Sequence, residues 1–174
     1  MPESQQSEKG INIVLDKIFS NTARSVIDFG AGEGKWGKAL KGKMQIVDGV
    51  EVWGSYILKY NLHNFYDTLY EADMRKFEFE KRYNIAILGD VLEHVSKDEA
   101  IGFLNKLKDN VDVIYLTIPV TVCIQDGEAI GNPFETHRYQ WSDKEIRYDL
   151  GFELLNVSVN DNGLVAVGCY EWIK

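Results

Sequence analysis

Residues 25–34 read SVIDFGAGEG, an apolar run followed at once by three closely spaced glycines. The apolar and β-branched residues from Ser25 to Phe29 predict a short buried strand. The glycines at 30, 32 and 34 predict a tight loop, because glycine adopts backbone angles that other residues avoid and leaves room beside the backbone. Helical spacing from Lys35 to Lys41 completes a strand, loop and helix unit, and the free amides at such a helix start can bind a ligand.

Strand and helix patterns continue to alternate after this unit. Further strands are predicted at residues 45–52, 65–71, 83–88 and 111–118, and helices at residues 55–62 and 97–108. Two capping boxes, at 96–99 and 142–145, mark helix starts, and Gly151 marks the end of the second of these helices. This alternation predicts an α/β fold with a Rossmann-like, mostly parallel sheet and helices on both faces.

The two ends of the chain complete the predicted architecture. Residues 1–22 form a lead-in whose apolar positions recur at helical spacing from Ile11 to Phe19. Residues 152–159 and 164–173 are two strands joined by NDNG, a tight-turn signal, and they predict a C-terminal hairpin with an antiparallel strand at the sheet edge. The sheet then has seven strands, and the length of 174 residues predicts a single domain over residues 1–174.

Composition and charge exclude several classes of protein. The formal net charge of -8 repels polyanions, and the lysines at 35, 38, 41 and 43 have the spacing of a solvated helix face, which argues against a nucleic-acid partner. Two cysteines are too few for a disulfide framework. No apolar run is long enough to span a membrane or to act as a signal peptide. These features predict a cytoplasmic protein whose oligomeric state stays open.

The glycine loop departs from three well-known ligand-binding patterns. A dinucleotide site requires glycine where Lys35 stands. A P-loop requires one more residue between the glycines, and Ser or Thr where Trp36 stands. The triplet at 28–30 matches a protein-kinase motif, but the chain contains no catalytic-loop HRD sequence.

Four segments in order resemble the motifs of class I S-adenosylmethionine-dependent methyltransferases. The first is the strand and glycine loop at 26–34, and the second is the strand end at 49–51, GVE. The third is EADM at 71–74, and the fourth, the most distinctive, is ILGDVLEHV at 87–95. The resemblance covers nearly the whole chain and implies that S-adenosylmethionine is the cofactor.

The resemblance also implies which residues bind this cofactor. Glu51 would accept hydrogen bonds from the two ribose hydroxyls. Asp73 would accept one from the adenine amino group, and Trp53 offers a flat apolar neighbour for adenine. The fourth motif would line the methionine end. The predicted cofactor-binding residues are Asp28, Gly30, Ala31, Gly32, Gly34, Glu51, Val52, Trp53, Asp73, Met74, Gly89, Asp90 and Val91.

The acceptor side of the predicted site is built largely from the N-terminal helix and a long irregular segment at residues 121–141, because the resemblance implies that the segments flanking the core carry substrate choice. Methyl transfer needs an aligned nucleophile and, where the nucleophile is protonated, a base. His137 is the preferred base, and His94 is the other candidate. His137 could instead be a loop histidine held by Glu135, and His94 a helix-start residue that helps to shape the pocket. Asp90 could bind substrate or cofactor, or cap the turn that follows it. No metal is predicted.

The combined features predict O- or N-methylation of a small molecule or of a sugar hydroxyl in a glycan. Two alternatives stay open at this point. The chain could methylate a protein or RNA that docks on an open face, or it could bind the cofactor without catalysis and act as a partner protein.

Overall fold

A computed structural model describes residues 8–159 and 165–174. Its strands form a single sheet in the order β3-β2-β1-β4-β5-β7-β6. The strands are β1 Ser25–Phe29, β2 Ile46–Glu51, β3 Leu69–Glu71, β4 Tyr83–Gly89, β5 Val111–Pro119, β6 Glu153–Val159 and β7 Ala166–Ile173. Strands β1 to β5 pair in parallel, which confirms the predicted α/β sheet of seven strands.

The C-terminal strands pair as a hairpin, but their place in the sheet differs from the prediction. β7 is antiparallel to both β5 and β6, and it lies between them, so the antiparallel strand is internal and β6 forms the edge. Burial explains the order, because residues 167–171 of β7 are all buried, whereas no residue of β6 is fully buried. The predicted turn at 160–163 lies outside the described residues.

The second and third helices end earlier than the sequence pattern indicates, whereas the fourth extends two residues beyond it. They are α1 Glu8–Ser20, α2 Lys35–Leu40, α3 Gly54–Lys59 and α4 Lys97–Asn110. Ser96 and Glu99 form the predicted capping box of α4. Ser142 and Glu145 also bond reciprocally, but the segment that follows is only a short π-helical turn, Glu145–Asp149. Gly151, with a φ of 76°, takes the predicted left-handed conformation.

Alternate residues of β1 point to opposite faces of the sheet, as strand geometry requires. Val26 joins a hydrophobic cluster with residues of α1 and α2, whereas Ile27 joins a separate cluster with residues of α4. Helices therefore cover both faces, as predicted. The aromatic side chains of Trp36 and Trp141 are buried in these two clusters.

The predicted third strand begins four residues late, at Leu69. The residues before Leu69 do not continue the strand. Tyr66 is buried instead, and its hydroxyl donates a 2.6 Å hydrogen bond to Asp28 of β1. Among the described residues, no helix combines the length and the apolar character needed to cross a membrane. Cys123 and Cys169 are free thiols.

Candidate functional site

A cavity of about 310 Å³ opens at the carboxyl ends of the parallel strands. The segments that follow β1, β2, β3 and β4 form most of its wall, and residues 132–135 together with Arg138 close one side. Ligands of open α/β sheets bind at this edge, at the point where the strand order reverses. The position agrees with the site that the strand pattern predicts.

The structure brings many of the predicted site residues together in the wall of this cavity. The lining residues among them are Gly30, Gly32, Glu51, Val52, Asp73, Met74, Asp90, Val91 and His94. Those outside the wall are Asp28, Ala31, Gly34, Trp53, Gly89 and His137. All four sequence motifs therefore contribute to one cavity, and the role of each residue there stays a prediction.

The glycine loop adopts backbone angles that require glycine. Gly30, Gly32 and Gly34 have φ values of 73°, 53° and 75°. At Gly30 space is also limiting, since a Cβ atom would lie 2.5 Å from Cγ2 of Val91. The amides of Gly30 and Ala31 both donate to the carbonyl of Val50, which fixes the loop against β2.

Glu51 lies at the end of β2 and is 5% exposed. Its Oε2 accepts a 2.8 Å hydrogen bond from the amide of Gly32, and its Oε1 accepts one of the same length from the amide of Trp53. Burial raises the pKa of Glu51, while these amides oppose the rise. Each carboxylate oxygen has a second lone pair, so Glu51 can also accept bonds from hydroxyl groups in the cavity.

Asp28 lies beneath the glycine loop and is completely buried. Burial raises the pKa of its carboxyl to about 7, although the hydrogen bond from Tyr66 lowers it. The hydroxyl of Tyr66 in turn accepts a hydrogen bond from the amide of Gly37 in α2. Asp28 thus connects β1 to the elements that support the loop, and its effect on a ligand would pass through the loop backbone.

The carboxylate of Asp73 pairs with the guanidinium of Arg75, a cavity residue that the sequence analysis did not identify. The backbone amide of Arg75 donates to Asp73 at 2.9 Å, and the guanidinium of Arg75 donates to both carboxylate oxygens. Arg75 also pairs with Glu99 at 2.8 Å. The hydrogen bond from Arg75 lowers the pKa of Asp73, so this carboxylate is a charged acceptor.

Two imidazoles meet beside the cavity. His94 lies in its wall and His137 behind it, with ring centroids 5.0 Å apart. Nδ1 of His137 lies 2.6 Å from the carbonyl oxygen of Cys123, and Nδ1 of His94 lies 3.4 Å from that of Thr136. Burial lowers the pKa of His137 and lowers that of His94 to about 4, so both rings are neutral at neutral pH.

Part of the predicted substrate-side segment reaches the cavity. Asn132 caps a short turn, Pro133–Glu135, by accepting a hydrogen bond from the amide of Phe134. Phe134 lines the cavity and is 39% exposed, and its ring lies 5.8 Å from that of Trp53. The cavity is therefore covered on this side by an aromatic residue that the sequence did not single out.

No family model matches the sequence, and no curated protein matches it. Solved structures do match. The N-terminal domain of EvdMO1, crystallised with SAH and D-fucose, has a TM-score of 0.70 at 16% identity over 98% of this chain and 84% of that one. N-methyltransferase NodS from Bradyrhizobium japonicum WM9 has a TM-score of 0.65 at 7% identity over 96% of both chains.

A third match is magnesium protoporphyrin IX methyltransferase ChlM from Synechocystis PCC 6803 with bound SAM, at a TM-score of 0.65 and 17% identity over 95% of this chain and 80% of that one. This chain has the class I methyltransferase fold. Within that methyltransferase fold, the cavity lies beside the glycine loop after β1 and the acidic end of β2. Identities this low describe the fold, so the chemistry must be argued from the site.

Proposed function

We propose that the chain binds S-adenosylmethionine in this cavity and transfers its methyl group to an oxygen or nitrogen atom of a small molecule or sugar. The observation that carries the proposal is the placement of Glu51, a buried carboxylate that lines the cavity and bonds the amide of Gly32. A sugar with two adjacent hydroxyls is the natural partner of such a carboxylate, because charge-assisted hydrogen bonds are stronger than neutral ones.

The chemistry of the cavity residues suits the cofactor. The loop at 30–34 leaves no side chain between its backbone and the cavity at Gly30 and Gly32, so the amino-acid part of the cofactor can approach closely. Asp73 and Met74 offer a charged acceptor and an apolar surface for adenine. Val52, Trp53 and residues 89–91 complete the proposed set, with Asp28, Ala31 and Gly34 supporting the loop.

The bound cofactor supplies an electrophilic methyl group. The chain would align the acceptor between the cavity and residues 132–138, and a neutral imidazole there can accept the acceptor's proton. In protein without a bound metal ion, we assign this role to His137. His94, which lies in the cavity wall, is the alternative. Asp90 would bind acceptor or cofactor at the end of β4.

Structural neighbours support a small acceptor. EvdMO1 was crystallised with D-fucose, and another neighbour, a 1,6-didemethyltoxoflavin N1-methyltransferase from Burkholderia thailandensis, with its small-molecule substrate. The net charge of -8 further disfavours a nucleic acid. We also propose a reducing, cytoplasmic setting, which the free thiols of Cys123 and Cys169 support.

Calorimetry with S-adenosylmethionine and with S-adenosylhomocysteine tests the proposal. We expect micromolar binding by the native chain, at least tenfold weaker binding by Glu51→Gln, and unchanged binding by Glu71→Gln, an exposed strand-end carboxylate outside the cavity wall. Absence of binding by the native chain would overturn the proposal. Binding without transfer of labelled methyl to any metabolite, glycan, protein or RNA acceptor would favour a non-catalytic partner protein.

A further inference from the structure

Three side chains with metal-binding groups meet next to the cavity. Glu93 and His94 lie in a short turn after β4, Leu92–His94, and His137 comes from the substrate-side segment. One ligand atom from each side chain lies within 4.8 Å of the others. Because a first-row cation binds nitrogen and oxygen ligands at about 2.0–2.2 Å, small side-chain rotations would bring all three onto one ion.

Glu93 is the most informative member of this cluster. Its side chain is 3% exposed, and within the described residues neither carboxylate oxygen has a hydrogen-bond partner. Burying a charged carboxylate without a partner is strongly unfavourable, so a bound cation or a bound proton would stabilise this position.

The two histidines have the arrangement of metal ligands. Each directs Nδ1 towards a backbone carbonyl, of Cys123 for His137 and of Thr136 for His94. An imidazole that donates from Nδ1 carries its lone pair on Nε2, and hydrogen bonds of this kind orient the ligating histidines of metal sites.

We propose that Glu93, His94 and His137 bind a divalent transition-metal cation of the zinc type. Two imidazoles and one carboxylate form a ligand set that binds zinc and leaves a further coordination position open. Since His94 lines the cavity, the cation would lie at its edge. An oxygen ligand at the open position, water or a hydroxyl of an acceptor, would become more acidic there.

The metal site can be tested without the methyltransferase activity. Native protein is treated with EDTA, dialysed and titrated with ZnCl2 by calorimetry, and CoCl2 is added to a second sample to record the visible spectrum. We expect one zinc ion per chain with micromolar or tighter affinity, and the absorption bands of low-coordinate cobalt. Zinc should also raise the melting temperature, because it binds only the folded chain.

Two variants test the proposed ligands, and a third is the control. Glu93→Gln and His137→Ala should each weaken zinc binding at least ~10-fold, since even the residues that merely orient metal ligands contribute this much. His63→Ala, which removes an exposed histidine outside the cluster, should leave binding unchanged. Because His137 lies in an irregular segment, its variant should fold even if Glu93→Gln does not.

The proposal is wrong if the native protein binds no zinc at micromolar concentrations. It is equally wrong if Glu93→Gln and His137→Ala, shown by circular dichroism to be folded, bind zinc as well as His63→Ala does. Neither result depends on S-adenosylmethionine, so failure of the metal site and failure of the proposed function are distinguishable.

Discussion

The carboxylate of Asp28 in β1 accepts a 2.6 Å hydrogen bond from the hydroxyl of Tyr66, in a buried position below the glycine loop. The two residues are 38 positions apart in the sequence, and their contact connects the first strand to the segment between α3 and β3. The hydroxyl of Tyr66 also accepts a hydrogen bond from the amide of Gly37 in α2. A buried series of hydrogen bonds therefore connects β1, which precedes the glycine loop, to the helix that follows it.

Asp28 should make the stability of the protein fall as pH rises. The folded state holds its pKa at about 7, against 3.8 for the ordinary group, so between these values the folded chain binds more protons than the unfolded one. At about 1.4 kcal/mol for each pKa unit, this penalty approaches about 4 kcal/mol above pH 7 and vanishes below pH 4. Asp28→Asn should remove it.

Urea unfolding at pH 5 and pH 8 measures this effect. The difference in unfolding free energy between the two pH values should shrink in Asp28→Asn and persist in Asp16→Asn, which removes an exposed carboxylate on α1. An equal pH dependence in all three proteins would mean that Asp28 titrates normally.

Gly30→Ala should destabilise the protein and weaken cofactor binding. The added Cβ would meet Val91 at 2.5 Å, and a φ of 73° strains any residue with a side chain. The strain costs about 1–2 kcal/mol, and the overpacking about 1–3 kcal/mol more. Thermal unfolding and calorimetry measure the two losses.

Gly42→Ala is a matched control, since Gly42 has a φ of 78° and a Cβ atom added there would have open space within 4 Å. Gly42→Ala should lose only the stability that the backbone strain costs. Adding Val91→Ala to Gly30→Ala should recover part of the stability; no recovery would show that the contact with Val91 does not limit the position.

Asp73→Asn should weaken S-adenosylhomocysteine binding several-fold, because a neutral amide is a weaker acceptor than a carboxylate. The amide oxygen can still cap the turn that begins at Met74, so stability should change by less than about 1 kcal/mol. Calorimetry measures S-adenosylhomocysteine binding by Asp73→Asn and by a control, Glu99→Gln. The control also removes an acidic partner of Arg75, but Glu99 lies outside the cavity wall. Equal binding by the two variants would remove Asp73 from the proposed cofactor site.

His137→Ala should leave cofactor binding intact and lower turnover of an acceptor in EDTA-treated protein. His137 lies behind the cavity wall and does not line the cavity, which is why binding should be spared. A reduction of about 10² to 10⁴ is typical of a lost general base. His63→Ala is the control, and undiminished turnover in His137→Ala would exclude it as the base.

The sequence predicted the strands and the edge at which the cavity lies, because apolar runs and glycine positions depend on local chain geometry. It did not predict the internal position of β7, since two adjacent strands with similar patterns differ only in how much of each is buried. Arg75 and Phe134 were missed because a single arginine or phenylalanine in a loop carries no pattern. Glu93 lies inside the fourth motif, yet nothing in the sequence indicates that its carboxylate is buried without a hydrogen-bond partner among the described residues.

The insertion of β7 between β5 and β6 affects how the protein is made. While the ribosome synthesises the chain, β5 and β6 emerge before the strand that separates them, and β5 presents an unpaired edge until residues 166–173 have left the exit tunnel. The sheet therefore stays open beside β5 until β7 has been synthesised, and loss of β7 would expose a long apolar edge to aggregation.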